Sequence, residues 1–136
     1  MRYLAIDYGQ KRTGLAVCDA DETIASPLKV VTGQAGLTAK IIEVIESEGI
    51  EAVVIGLPLN MDDSEGFQAK LTREFAEELK DRIDIPVNFQ DERLSSFEAG
   101  EKLAAAEFTT KKRKRYLDAV AAAEILNAFL YNKHSH

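Results

Sequence analysis

Tyr3-Leu4-Ala5-Ile6-Asp7-Tyr8-Gly9-Gln10-Lys11-Arg12-Thr13-Gly14-Leu15-Ala16-Val17-Cys18 is the segment on which the fold turns. Its apolar run Leu4-Ala5-Ile6 closes on Asp7, the turn Tyr8 to Arg12 follows, and Thr13 to Asp19 forms a second strand that so short a connection can only return as a hairpin. After another turn at Asp19 to Thr23 a third strand is predicted around Leu28 to Val31, so three antiparallel strands open the fold. Then the period changes. Leu37, Ile41, Ile42 and Ile45 recur at helical spacing, Gly49 ends that helix, and Ala52-Val53-Val54-Ile55 reads as a fully buried strand. Phe67, Leu71, Phe75 and Leu79 repeat every fourth residue and mark a second helix, before a strand through Val87-Asn88-Phe89. Ser95-Ser96-Phe97-Glu98 has the form of a capping box and predicts a short helix through about Ala106, and the last helix is predicted from Tyr116 to Asn132.

A three-stranded meander followed by β-α-β-α-β specifies an α/β fold with a mixed five-stranded sheet and helices on both faces. Right-handed crossovers place the later strands beside the first, on the edge away from the hairpin, which predicts the order 3-2-1-4-5. In such sheets sites form at the carboxyl ends of the central strands. Asp7 ends the first strand, the Gly56-Leu57-Pro58 turn ends the fourth, and Asp91-Glu92 ends the fifth. Asp118, at the head of the last helix, shares a stripe with Ala122, Ile125 and Phe129, which predicts an inward carboxylate. Unpaired buried charge is strongly disfavoured, so carboxylates converging there are raw material for a divalent-metal site. Taken singly, each acid also has a structural explanation: Asp7 as a cap of the Tyr8-to-Arg12 turn, Asp118 as an acid favoured by a helix N-terminus.

Length and composition set the frame. At 136 residues the chain fits one domain, residues 1–136, and no apolar run approaches a membrane span. Met1-Arg2 runs straight into the first strand without a cleavage site, so the cytoplasm is the expected location. Cys18 is the one cysteine, which excludes an internal disulfide and a multi-cysteine metal site and predicts a packing role. Net charge is −6, yet Lys111-Lys112-Arg113-Lys114-Arg115 concentrates positive charge in one run just before Asp118. A basic patch on an acidic body grips phosphate locally while the remainder discourages indiscriminate binding; a solvated basic loop is the alternative.

Four segments together resemble the YqgF/RuvX-like family: Ile6-Asp7-Tyr8-Gly9-Gln10-Lys11-Arg12-Thr13-Gly14-Leu15-Ala16, Gly56-Leu57-Pro58-Leu59-Asn60-Met61-Asp62, Asp91-Glu92-Arg93-Leu94-Ser95, and Asp118-Ala119-Val120-Ala121-Ala122-Ala123-Glu124-Ile125-Leu126. The resemblance runs along essentially the whole chain. One departure is Asp63, where the family commonly has glycine; aspartate tolerates a left-handed backbone, so the turn is expected to survive. The resemblance implies an RNase H-like fold and a bacterial nuclease, described either as maturing the 5′ end of pre-16S rRNA in ribosome biogenesis or as a Holliday junction resolvase acting on branched DNA.

The resemblance also implies phosphodiester hydrolysis with two ions, Mg²⁺ or Mn²⁺, and the acid-rich, histidine-poor candidate set suits such hard cations. Catalytic and metal-binding roles then fall to Asp7, Glu92 and Asp118. Asp91 is the alternate to Glu92, because neighbouring strand residues point to opposite faces. Substrate phosphates are expected on Lys11, Arg12, Arg93, Asn60 and Ser64, and on Lys112, Arg113 and Arg115 of the basic run. His134 and His136 lie at a terminus expected to fray. The partner is nucleic acid, as structured RNA precursor or branched DNA; symmetric cutting of two strands would call for a homodimer. Two other classes compete. Ile6-Asp7-Tyr8-Gly9 with its hairpin also suits a nucleotide phosphotransferase, but this chain supplies one such domain and no Walker-type loop. A non-catalytic nucleic-acid-binding or regulatory protein would keep the fold with a weak site.

Overall fold

The computed structural model describes residues 1–92 and 110–135, with the side chains of all of these except 110–115. Strands β1 (Tyr3–Asp7), β2 (Arg12–Cys18) and β3 (Ala25–Thr32) lead into α1 (Leu37–Ser47), β4 (Ala52–Leu57), α2 (Phe67–Lys80), β5 (Val87–Asp91) and α3 (Thr110–His134). The sheet order is β3-β2-β1-β4-β5, with β1 antiparallel to β2, β2 antiparallel to β3, and β4 parallel to both β1 and β5. This is the order that the short hairpins and right-handed crossovers require. β3 is longer than the apolar run alone suggests, and it carries an irregularity opposite Leu15/Ala16 and Pro27 within its length. Proline lacks an N–H, and an edge strand is where a sheet tolerates that loss.

Strand alternation builds two cores. Leu4, Ile6, Leu15, Val17, Val53 and Ile55 meet α1 and α2 through Ile41, Ile45, Phe75 and Leu79. On the opposite face Tyr3, Ala5, Ala16, Ala52 and Val54 meet α3 through Ala122, Ile125, Leu126 and Leu130. Alanines on that face of the sheet let one long helix lie close to it. Each large aliphatic side chain so buried contributes about 1.5–3 kcal/mol.

Helix α2 forms where the sequence predicts it, and α3 starts earlier than expected. In α2 the buried residues are Ala69, Thr72, Phe75, Ala76 and Leu79, while Phe67 is 72% exposed. An every-fourth series drifts by about 40° per step around a helix of 3.6 residues per turn, so Phe67 and Leu79 cannot share a face. Helix α3 begins at Thr110 rather than Tyr116, which places the basic run within the helix and Asp118 well inside it. The helix-dipole explanation for Asp118 therefore falls, since that effect is confined to the first turn. The capping box at Ser95 and Glu98, and the short helix through Ala106, lie outside the described residues.

The far end of α3 is tied down rather than frayed. Lys133 Nζ lies 2.6 Å from Glu22 Oε1, His134 Nε2 lies 3.3 Å from the same oxygen, and Tyr3 and Phe129 have ring centroids 5.2 Å apart. His136 lies outside the described residues. Cys18 is buried, and its sulfur accepts a hydrogen bond from the Tyr3 N–H at 3.3 Å, in keeping with a packing role. Asp63 adopts the left-handed backbone, φ 70°, that its loop was expected to need. Among the described residues no helix is long and apolar enough to cross a membrane.

Candidate active site

Asp7 is the last residue of β1 and, by alternation from Tyr3 and Ala5, lies on the side of the sheet covered by α3. On β5, Val87 and Phe89 pack into the opposite core, which assigns Asp91 to the α1/α2 side. Glu92 comes to the α3 side: a Cβ placed on Gly56 would lie 3.4 Å from Glu92 Cδ and 2.5 Å from Ile125 Cδ1. Gly56 is thus inside β4 rather than in the turn after it, and its missing side chain is the space that Glu92 and α3 use.

Gly14 does the same for Asp118. A Cβ there would fall 1.9 Å from the Asp118 carbonyl oxygen and 2.9 Å from the Ala119 nitrogen. The backbone of α3 presses on β2 at the residue that carries the acid. An isolated glycine within a strand is the sequence signal for such an approach, and it was available in Thr13-Gly14-Leu15.

Electrostatically the three acids form one unit. Burial is the main cause that raises the Asp7 pKa far above its ordinary 3.8, to beyond neutrality; a hydrogen bond with Glu92 and the negative charges of Glu92 and Asp118 add to it. The capping explanation for Asp7 loses ground, because the turn draws its bonds elsewhere. Gln34 Nε2 donates to the carbonyls of Gly9 at 2.8 Å and Gln10 at 3.1 Å, and Gly33 N–H donates to the Lys11 carbonyl at 2.8 Å. Tyr8 Oη in turn donates to Gln34 Oε1 at 2.9 Å. Gln34 was not among the residues singled out from sequence; it is distant in the chain and nothing local marks it.

Asp118 is held by Arg12, whose Nε donates to Oδ2 at 2.7 Å. Among the described residues no three His, Cys, Asp or Glu side chains are already gathered as a metal cage. Asp7 and Glu92 engage each other, and Asp118 engages Arg12. Lys11 is exposed in the same turn. Asn60 Nδ2 donates to Ser64 Oγ at 3.0 Å, and Ser64 Oγ is bonded to Asp62, so these two candidate phosphate donors brace their own loop. Arg93 lies outside the described residues. Lys112, Arg113 and Arg115 lie on the early turns of α3, with their side chains outside the description. A hollow of about 250 Å³ lined by Tyr8, Gln34, Thr38, Phe75, Glu74 and Glu78 opens on the α1/α2 side. It lies across the sheet from the acids, and its glutamates disfavour phosphate.

The family model described as RuvX, Holliday junction resolvase, matches residues 1–132. A protein of Maridesulfovibrio salexigens is 41% identical over 132 residues, 96% of this chain and 98% of its own length. One of Anaeromyxobacter sp. strain Fw109-5 is 44% identical over 138 residues, 99% and 100% of the two chains. Both are named "Putative pre-16S rRNA nuclease". Among solved structures, Thermus thermophilus RuvC in complex with a Holliday junction substrate superposes with TM-score 0.63 at 18% identity, covering 99% of this chain and 96% of RuvC. That likeness fixes the architecture as RNase H-like. With a family match along nearly its whole length and relatives at this identity, the chain belongs to the RuvX family.

Proposed function

We propose that the chain is a metal-dependent nuclease hydrolysing nucleic-acid phosphodiesters, with 5′-end processing of pre-16S rRNA as its task. The observation that carries this reading is the buried Asp7 carboxyl, bonded to Glu92 and within the field of Asp118, its pKa raised by burial first and by these two acids after it. Like-charge crowding of this kind is relieved by a cation, and an all-carboxylate donor set fits Mg²⁺ or Mn²⁺ rather than a soft metal. When bound, such ions would supply an activated water and stabilisation of the departing oxygen of an in-line displacement.

In this chain Asp7 would serve both ions and Glu92 and Asp118 one each; Asp91, on the other side of β5, is the weaker alternate. Lys11 and Arg12, from a turn fixed by Gln34, would bind the phosphate beside the acids, with Arg93 next to Glu92. Asn60 and Ser64 would offer donors ahead of α2, and Lys112, Arg113 and Arg115 would hold flanking backbone. The names of the relatives support the rRNA substrate. A second reading, resolution of branched DNA by a two-fold homodimer, is favoured by the family's description and the RuvC likeness.

The test is cleavage of a pre-16S rRNA 5′ leader and of a four-way DNA junction, side by side, in Mg²⁺ or Mn²⁺, by wild type and Asp118→Asn. Metal-dependent cleavage that the variant loses supports the nuclease, and the preferred substrate names its task. No cleavage of either by folded, metal-loaded protein favours the non-catalytic binding reading.

A further inference from the structure

The Arg12–Asp118 pair joins a residue read as a phosphate binder to one read as a metal ligand. While the Arg12 guanidinium sits 2.7 Å from Asp118 Oδ2, that carboxylate is directed to an internal cation, and among the described residues no three acids are already gathered as a metal cage. The backbone beneath Arg12 is fixed by the bonds from Gln34 and Gly33, so the part of the turn free to move is the side chain. That side chain is 37% exposed and its partner 26%, so a phosphate can reach the guanidinium from solvent. A partly exposed ion pair is weakly held, and a phosphodiester offers the same guanidinium a two-oxygen partner of matching shape.

We infer that Arg12 is a latch released by substrate: paired with Asp118 it keeps the metal site open, and on pairing with a phosphodiester it frees Asp118 to complete it. This rests on the nuclease reading of the three acids. Coupling of this kind is reciprocal, so nucleic acid tightens metal binding by the same factor by which metal tightens nucleic-acid binding. The latch would keep an ion-loaded site from standing ready without substrate.

The test reads Mn²⁺ affinity from the electron paramagnetic resonance of free Mn²⁺, with no nucleic acid present, for wild type, Arg12→Gln and Lys11→Gln. Lys11→Gln removes the same charge from the same turn without touching the pair, and thermal melts check that each variant folds. The latch predicts that Arg12→Gln binds Mn²⁺ roughly ten-fold more tightly than wild type, within the usual range of coupling between sites, while Lys11→Gln changes little. It also predicts that a four-way DNA junction draws extra Mn²⁺ onto wild type, beyond uptake by the DNA alone, but not onto Arg12→Gln. Unchanged or weaker Mn²⁺ binding by Arg12→Gln, or equal tightening in both variants, overturns the latch and leaves the metal site standing. No Mn²⁺ bound by any of the three overturns the metal site and the latch with it.

Discussion

Asp7→Asn should stabilise the metal-free protein, an unusual outcome for a residue at the centre of a site. The Asp7 pKa is 3.8 in its ordinary state and lies above neutrality in the fold, through burial first and then its acidic neighbours. A group whose folded pKa is raised favours folding only at low pH; its contribution is lost as pH climbs from the unfolded value towards the folded one. At pH 7 the folded state must hold a proton that the unfolded chain releases. With about 1.4 kcal/mol for each of the roughly three pH units between 3.8 and 7, the cost reaches about 4 kcal/mol as a ceiling. Relaxation around a buried acid brings the expected value nearer about 2 kcal/mol. Asparagine keeps the shape and can donate to Glu92 with no proton to capture. Urea unfolding followed by circular dichroism in EDTA should show Asp7→Asn ahead at pH 7 and level with wild type near pH 4. In saturating Mg²⁺ the order should reverse, because wild type gains a bound ion and the variant does not. A variant no more stable than wild type at pH 7, or an advantage that ignores pH, would refute the raised pKa of the buried Asp7.

Gly14→Ala puts a methyl group into the Asp118 backbone, so α3 must shift; we expect a loss of about 1–3 kcal/mol in thermal or urea unfolding. The same variant should lose metal-dependent cleavage more than its stability loss accounts for, checked at a temperature where it is fully folded. Gln34→Ala removes the clamp on the turn that carries Lys11 and Arg12, costing about 1–2 kcal/mol from its lost hydrogen bonds and accelerating amide exchange at Gly9 to Arg12. Glu22 has its pKa pulled down from 4.5 to about 2, by the Lys133 hydrogen bond first and by the N-terminal amine and His134 after it. A depressed pKa contributes stability above the unfolded value, lost as pH falls from 4.5 towards 2. Glu22→Gln should therefore melt lower than wild type at pH 7 and converge with it near pH 2, by much less than the Asp7 effect because the partners face water.

The topology was legible because two local signals agree: connections too short for anything but hairpins, and a change from alternating to helical period after Val31. The three acids were legible as strand-end or stripe positions, and strand alternation favours Glu92 over Asp91 once Phe89 and Gly56 are located. Less visible was the start of α3. Lysines and arginines at a helix N-terminus oppose its dipole, so local preference moves the start from Thr110 to Tyr116. Helix α2 was legible in the recurrence of Phe67, Leu71, Phe75 and Leu79, of which Phe75 and Leu79 are buried and Phe67 is exposed. The pairing of Arg12 with Asp118 and the clamp by Gln34 join positions far apart in the chain, and no local pattern announces a contact of that separation.

The most direct measurement is a crystal of the wild-type protein grown in saturating Mn²⁺, with anomalous scattering used to place the ion. An anomalous peak within ligand distance of Asp7, touching Glu92 or Asp118 as well, is the predicted result. Mn²⁺ bound elsewhere, with the Asp7–Glu92 and Arg12–Asp118 pairs unchanged, would contradict the metal centre on which the proposed chemistry depends.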